Sequence, residues 1–481
     1  MAPFRFIACF IRVMAVMTER TFNLVVPLAH EATAMRIADT TDPIRVWSGA
    51  VSPLIGSDLR QGDVYSTSNR STPPTPTMPG TRTSTTATRT TTTSRTRGAP
   101  ARSADQSERN HADFSFTELV QAYLDCRKAK RNTASAIAFE QNQEYNLRQL
   151  HDELAEGGYQ PGRSICFVVT RPKAREVWAA DFRDRIVHHL LYNRISDRFY
   201  SSFIADTCAC IPGRGTMYAA NRLAQKIRSA SENWSKPLHY LKCDLANFFV
   251  AIDKQVLWRQ IAAKVTEPWW RDLASTILFH DPRDNFELRG NPSLVAKVPA
   301  HKRLMSQPAH LGLPIGNLSS QFFANIYLNA LDQFAKHQLG ARHYVRYVDD
   351  FILLHESPQW LNNALDEVTA FLPAVLGAQI NPTKTILQPV ARGVDFVGHV
   401  IKPWRTTARR RTVKQAVKRI EAMPDSQVFA ATNSYFGLMS QSTHSHGDRI
   451  RVAHAALARG HAVNGPITKI YRKGKQDDQK A

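Results

Sequence analysis

Cysteine is scarce and scattered: the six residues Cys9, Cys126, Cys166, Cys208, Cys210 and Cys243 form no Cys-x-x-Cys pair. That excludes a disulfide scaffold, argues against a zinc site, and fits a reducing cytosol. Cys208 and Cys210 read as buried strand positions rather than ligands. No apolar run is long enough to span a bilayer, so no membrane segment is expected. The apolar start, Met1 to Met17, resembles a weak signal peptide, but Arg12 interrupts it and no small-residue cleavage site follows. The expected location is therefore cytoplasmic. Acidic residues are the minority charge, 41 against 62 Lys+Arg, for a net charge of +21. This excludes an acidic tail protein and predicts a polyanionic partner, nucleic acid ahead of a membrane surface.

What is present divides the chain. At roughly 150 residues per domain the length suggests about three units, and 43% hydrophobic residues can bury a real core. Residues 1–105 hold 12 Arg, no Lys and 7 acids, whereas residues 402–481 hold 16 Lys+Arg against 5 acids. The Thr/Pro/Arg stretch 71–100 has no apolar periodicity and too little apolar surface to offset its chain entropy. Residues 1–111 are expected to be a poorly structured extension. From residue 112 the text changes. Two helices are expected over 113–156, a strand over 165–170, a basic turn at Arg171–Arg175, and a helix from Asp181 to Tyr200. His188 and His189 on that helix point about 100° apart, so one packed and one exposed ring is expected rather than a metal site.

Three later segments carry chemistry when read together. Leu241–Phe249 is a strand ending on Asp244 and turning into a helix over 252–265. Gly312–Gln321 is a glycine-containing turn opening a helix, Phe322 to Gln338. Tyr344–Leu354 is two apolar runs around Asp349 and Asp350, the pattern of a β-hairpin with two acids at its tip. Adjacent carboxylates there repel each other unless a divalent cation lies between them. Asp244 on a neighbouring strand completes a three-carboxylate set whose hard oxygens suit Mg²⁺, with Mn²⁺ as a substitute. Two such ions catalyse in-line phosphoryl transfer.

These segments, in this order, resemble the reverse transcriptases over roughly residues 112–410. The resemblance implies an α/β (α+β) right-hand polymerase with a fingers and palm unit over 112–400, a ferredoxin-like palm sheet, and a basic helical thumb over 401–481. Tyr347-Val-Asp-Asp350 matches the YxDD box, and Asp244 with Phe248-Phe249 matches the first palm motif. That match implies that Asp244, Asp349 and Asp350 are catalytic metal ligands and that Phe249 blocks a ribose 2′-OH. It also implies that Lys173, Arg175, Ile315, Gly316 and Lys384 contact the dNTP. Gly213 and Gly215, Tyr347, and Phe396 with Gly398 of a primer grip are implied to lie along template and primer. RNA template, DNA primer, cDNA and dNTPs are the implied partners.

Pro314-Ile-Gly-Asn317 followed by Ser320-Gln321 departs from the Gln-Gly and Ser-Pro of retroviral and group II intron enzymes. It is similar to the bacterial enzymes of diversity-generating retroelements, which copy an RNA with errors at adenines and work with a small basic accessory protein. A defence-associated bacterial reverse transcriptase shares the Ile-Gly-Asn pattern and is the alternative. A non-catalytic RNA-binding protein on a polymerase scaffold is the second alternative, against which the three intact aspartates argue. Arg405 through Arg409, Arg410 and Arg411 to Lys418 places cations at helical spacing, a face expected to contact the template–primer backbone.

Overall fold

The computed structural model describes residues 113–128, 133–171 and 173–472. The expectations for the N-terminal extension and the apolar start lie outside these residues. Where two helices are expected, three form: α1 (Phe116–Arg127), α2 (Ala134–Gln141) and α3 (Gln143–Ala155). The division between the last two falls at Asn142, which is the C-cap of one and the N-cap of the next. Strands β1 (Ser164–Val169) and β2 (Arg175–Ala179) form an antiparallel hairpin. Helix α4 (Phe182–Tyr200) is capped by the Asp181 side chain, which accepts from the Arg183 N–H. Of the His pair on α4, His188 is buried and His189 half-buried.

Helix α5 (Thr216–Ala230) leads to β3 (His239–Asp244), a single turn α6 (Phe248–Ala251), α7 (Lys254–Ala262) and α8 (Pro268–Phe279). The helix expected over 252–265 forms as α7 but is shorter at both ends: Asp253 stands in extended backbone and caps its start through the Gln255 and Val256 N–H groups. Strand β4 (Phe286–Arg289), not expected from the sequence, adds parallel to β1. After a run of 3₁₀ turns come α9 (Leu318–Gln333), β5 (His343–Tyr347), β6 (Asp350–His355), α10 (Pro358–Leu376) and β7 (Ile386–Pro389). The chain continues through β8 (Val394–Phe396), β9 (His399–Lys402) and β10 (Arg405–Ala408) to α11 (Arg410–Ala422), α12 (Asp425–Met439) and α13 (His446–Leu457).

The central sheet has the order β5-β6-β3-β7, with every neighbouring pair antiparallel. That is the ferredoxin-like arrangement expected of a palm. Period-2 alternation splits its side chains between two cores. Leu241, Cys243, Tyr344, Phe351 and Leu353 pack in one cluster with residues of α4, α9 and α10. Tyr240, Val345, Ile352 and Leu354 pack in another with Ala219, Leu223 and Ile227 of α5 and Phe396 of β8. Helices α11 to α13 form their own cluster around Val413, Ile420, Phe436 and Val452.

Two expectations need correction. Cys208 is buried, but neither it nor Cys210 lies in a strand, and Cys210 sits at φ 54° in the left-handed region. Arg405–Ala408 is not the start of a helix but strand β10, paired with β9. Its β-branched Thr406 and Thr407 suit a pleated edge, and the helix begins only at Arg410.

Candidate active site

The palm sheet sets the carboxylates by register. Asp244, the last residue of β3, lies directly opposite Asp350, the first of β6. Tyr347 ends β5 and also faces Asp350, so Val348 and Asp349 form a two-residue hairpin loop. Val348 has φ 54°, a conformation a β-branched side chain adopts only at a cost of about 1–3 kcal/mol. The cost is offset by a buried network. Arg346, 0% exposed, donates to both carboxylate oxygens of Asp332 at 2.7 and 2.6 Å and to the Val348 carbonyl at 3.0 Å. Tyr344 and Thr207 hydroxyls donate to the same carboxylate at 2.8 and 2.6 Å. The tip is therefore tied to α9, which carries Asp332.

Burial, with the charges of Asp244 and Asp350 adding to it, raises the Asp349 carboxyl to about 6. Asp350 is likewise raised by burial and by Asp244, against the opposing charge of Lys242, whose ammonium lies 3.6 Å away. The Asp244 carboxylate is engaged by the Lys384 ammonium. Lys384 reaches it because the Asn381 N–H donates to the Asp244 carbonyl at 2.8 Å and Asn381 caps the turn Pro382–Lys384.

The three acids do not close into a metal nest: among the described residues no three His, Cys, Asp or Glu side chains converge in that way. The donor set nonetheless fits a divalent cation. It consists of hard carboxylate oxygens on two adjoining strand ends and the hairpin tip, two of the three carboxylates disfavoured as anions by burial and, next, by their neighbours' charge, and the Lys384 ammonium stands where positive charge is needed.

Beside the acids lies a cavity of about 400 Å³ lined by Lys173, Arg175, Phe249, Ile315, Asp349 and Lys384, among others. Lys173 and Arg175 come from the turn and first strand residue of the β1–β2 hairpin. Burial lowers the Lys173 pKa, and the cations Lys384, Lys302 and Arg175 lower it further. Phe249 is fixed edge-on against Phe248, ring centroids 5.2 Å apart. Ile315 is held by its backbone, its carbonyl accepting from the Trp178 N–H of β2 at 2.8 Å. Gly316 follows at φ 139°, and a Cβ there would meet the Trp178 carbonyl oxygen at 2.6 Å, so only glycine allows this turn to lie against the fingers strand.

The other singled-out residues lie away from the cavity lining. Gly215 is the N-cap of α5, with Gly213 just ahead at φ 76°. Phe396 is fully buried, and Val397 and Gly398 turn β8 into β9 with both φ angles positive. Arg409 pairs with Asp395 and precedes α11, while Arg410 and Arg411 are exposed in its first turn.

Lys297 and Lys302 also line the cavity and were not singled out from the sequence. Their 3₁₀ turns carry no periodicity, although one signal was available: no acidic residue occurs between Glu287 and Asp332.

Residues 171–401 match the family model described as reverse transcriptase (RNA-dependent DNA polymerase). Among solved structures, the chain is similar to the apo telomerase of Candida tropicalis at 14% identity and TM-score 0.39, covering 62% of this chain and 57% of that one. Its similarity to the same organism's telomerase truncated from the C-terminal domain is 13% identity and TM-score 0.37, over 51% of this chain and 55% of that one. For the telomerase of Candida albicans in complex with a TWJ fragment of telomeric RNA, identity is 14% and TM-score 0.35, over 62% of this chain and 54% of that one. The chain spans a little over half the length of these telomerases. No curated protein matches its sequence. Asp244 and the Tyr347–Asp350 hairpin both lie inside the span that matches the reverse transcriptase model.

Proposed function

We propose that the chain is an RNA-templated DNA polymerase that makes cDNA, and that it is the error-prone enzyme of a bacterial diversity-generating retroelement. One observation carries the polymerase: a single cavity joins a palm carboxylate, the fingers cations Lys173 and Arg175, the Phe249 ring and Ile315. Two Mg²⁺ ions held by Asp244, Asp349 and Asp350 would supply Lewis acidity toward the primer 3′-hydroxyl and the triphosphate. Lys173, Arg175 and Lys384 bind the triphosphate as point charges and a guanidinium fork. Phe249 excludes a ribose 2′-OH by occupying its space, which selects deoxynucleotides. The Phe396–His399 turn supports the primer end, Tyr347, Gly213 and Gly215 lie along template and primer, and the first turn of α11 holds the backbone. A small basic accessory protein is the implied protein partner.

Primer extension on an RNA template tests the polymerase. The wild type should incorporate dNTPs in preference to rNTPs, and Asp349→Asn should abolish cDNA synthesis while leaving RNA binding intact. RNA binding without synthesis by the wild type would instead indicate a non-catalytic scaffold. For the retroelement, a near-duplicate repeat pair beside the gene, differing only at adenines, is expected. Its absence would favour the defence-associated role.

A further inference from the structure

The segment between β4 and α9 is built as an anchored arm rather than a solvent loop. The Asn291 side chain caps the turn Pro292–Lys297 by accepting from the Ser293 N–H at 2.9 Å. Val298 and Leu304 are buried, Leu304 in a cluster with Cys166, Trp178 and Val250. The buried Glu176 carboxylate of β2 accepts from the Leu304 N–H at 2.8 Å and from the Trp178 indole at 3.3 Å. Arg303 donates to the Val298 carbonyl at 2.6 Å, and Arg283 to the Leu304 and Gln307 carbonyls at 3.2 and 2.5 Å. Between these anchors the arm carries Lys297 and Lys302 to the wall of the dNTP cavity.

Both lysines are exposed, and neither has an acidic partner within 4.0 Å among the described residues. Lys302 is close enough to Lys173 to depress its pKa, which places it on the cationic side of the cavity. Five cations, Lys173, Arg175, Lys297, Lys302 and Lys384, thus line a space whose lining includes one carboxylate, Asp349. Lysines on a multiply bonded segment converging with no counter-ion repel one another. A ligand that brings several negative charges relieves that repulsion.

We propose that Lys297 and Lys302 are nucleotide-binding residues that grip the phosphates of the incoming dNTP together with the cations of the β1–β2 turn, and so favour a triphosphate over a diphosphate. The proposal rests on the polymerase reading of the same cavity. The arm adds its two ammonium groups to the cations of Lys173 and Arg175 in one lining, and the Glu176 contact ties the arm to β2, which carries Arg175. Ground-state binding of this kind appears in KM more than in kcat.

The test uses the full chain with both lysines changed to Gln, and a second variant with both changed to Arg. In steady-state primer extension the Gln variant should raise the KM for dNTP about tenfold with kcat within about twofold, and the Arg variant should restore most of the affinity. Equilibrium dialysis with dGTP and dGDP reads the site without turnover. The wild type should prefer dGTP, and the Gln variant should lose that preference. Unchanged dNTP KM and unchanged dGTP preference in a folded Gln variant would overturn the proposal. So would weakened template–primer binding at constant dNTP affinity, which would assign the lysines to the nucleic-acid backbone. If the wild type binds dGTP in this way yet makes no cDNA, the arm stands and the polymerase reading fails.

Discussion

At the scale of single residues, Arg346 and Asp332 show how much the site depends on groups that never meet substrate. Both side chains are fully buried, and each is the other's only full counter-charge in the contacts described. Removing one partner from such a pair leaves a buried charge and costs about 3–5 kcal/mol. Asp332→Asn should therefore lower the urea midpoint sharply and slow synthesis, because the Val348 carbonyl loses its well-placed donor and Asp349 moves with it. An unfolding free energy within about 0.5 kcal/mol of wild type would show that the pair contributes little. Ile315 is the opposite kind of residue, placed by its backbone and free to vary in side chain. If the proposed function holds and Ile315 lies beside the new base pair, its aliphatic group cannot make the hydrogen bond that an amide side chain would. Ile315→Gln should reduce misincorporation opposite template adenine by roughly three- to tenfold, the worth of one hydrogen bond. Sequencing the cDNA reads this directly, and an unchanged adenine error rate would remove Ile315 from the fidelity mechanism.

At the scale of elements, α4 carries a pH-sensitive liability. Burial, with His189, Arg185 and His280 adding, holds the His188 pKa down to about 3, and His189 is lowered by burial to about 4. The folded state thus refuses protons that the unfolded chain takes up near pH 6.5. Stability should be at its plateau above that pH and fall as pH drops from about 6.5 toward 3. His188→Gln should remove one proton from this dependence and leave that of His189. Urea midpoints at pH 7 and pH 5 check it: the wild type should lose more between them than the variant. Elements also show what was readable beforehand. Strands β3, β5 and β6 were legible because apolar runs end on acids and the ladder needs period-2 burial. The helix expected from Asp181 forms as α4, and Asp181 proves to be its cap, a role its side chain suits. Asp253 set the start of α7 two residues later than apolar spacing alone suggested, and Thr406-Thr407 turned a cationic run into a strand. The arm bearing Lys297 and Lys302 was illegible because its position comes from long-range bonds to Glu176 and Arg283, which no local pattern announces.

For the whole molecule, a net charge of +21 coexists with a set of three carboxylates at the end of the central sheet. The carboxylates occupy the palm rim, and cations line the cavity wall and the C-terminal helices. On α11, Val413, Ala416 and Ile420 face inward while Arg411, Lys414 and Lys418 are exposed on the other side. Cations in the first turn of a helix oppose its own dipole, so Arg410 and Arg411 are poor choices for stabilising α11 alone. Their placement makes sense if an external polyanion neutralises them. Binding of a template–primer duplex then releases counter-ions, and log affinity falls with log salt by about 0.9 for each phosphate neutralised on B-form DNA, with a somewhat different coefficient for a hybrid. Changing Arg411, Lys414 and Lys418 together to Gln should flatten that slope by up to about 2–3 units while leaving the KM for dNTP unchanged. Fluorescence anisotropy across a salt series measures it. A slope equal to wild type would mean that the helix face is merely solvated and that the duplex is held elsewhere. A flattened slope with a raised dNTP KM would mean that the thumb and the cavity are coupled, so that closing on the duplex also shapes the nucleotide site.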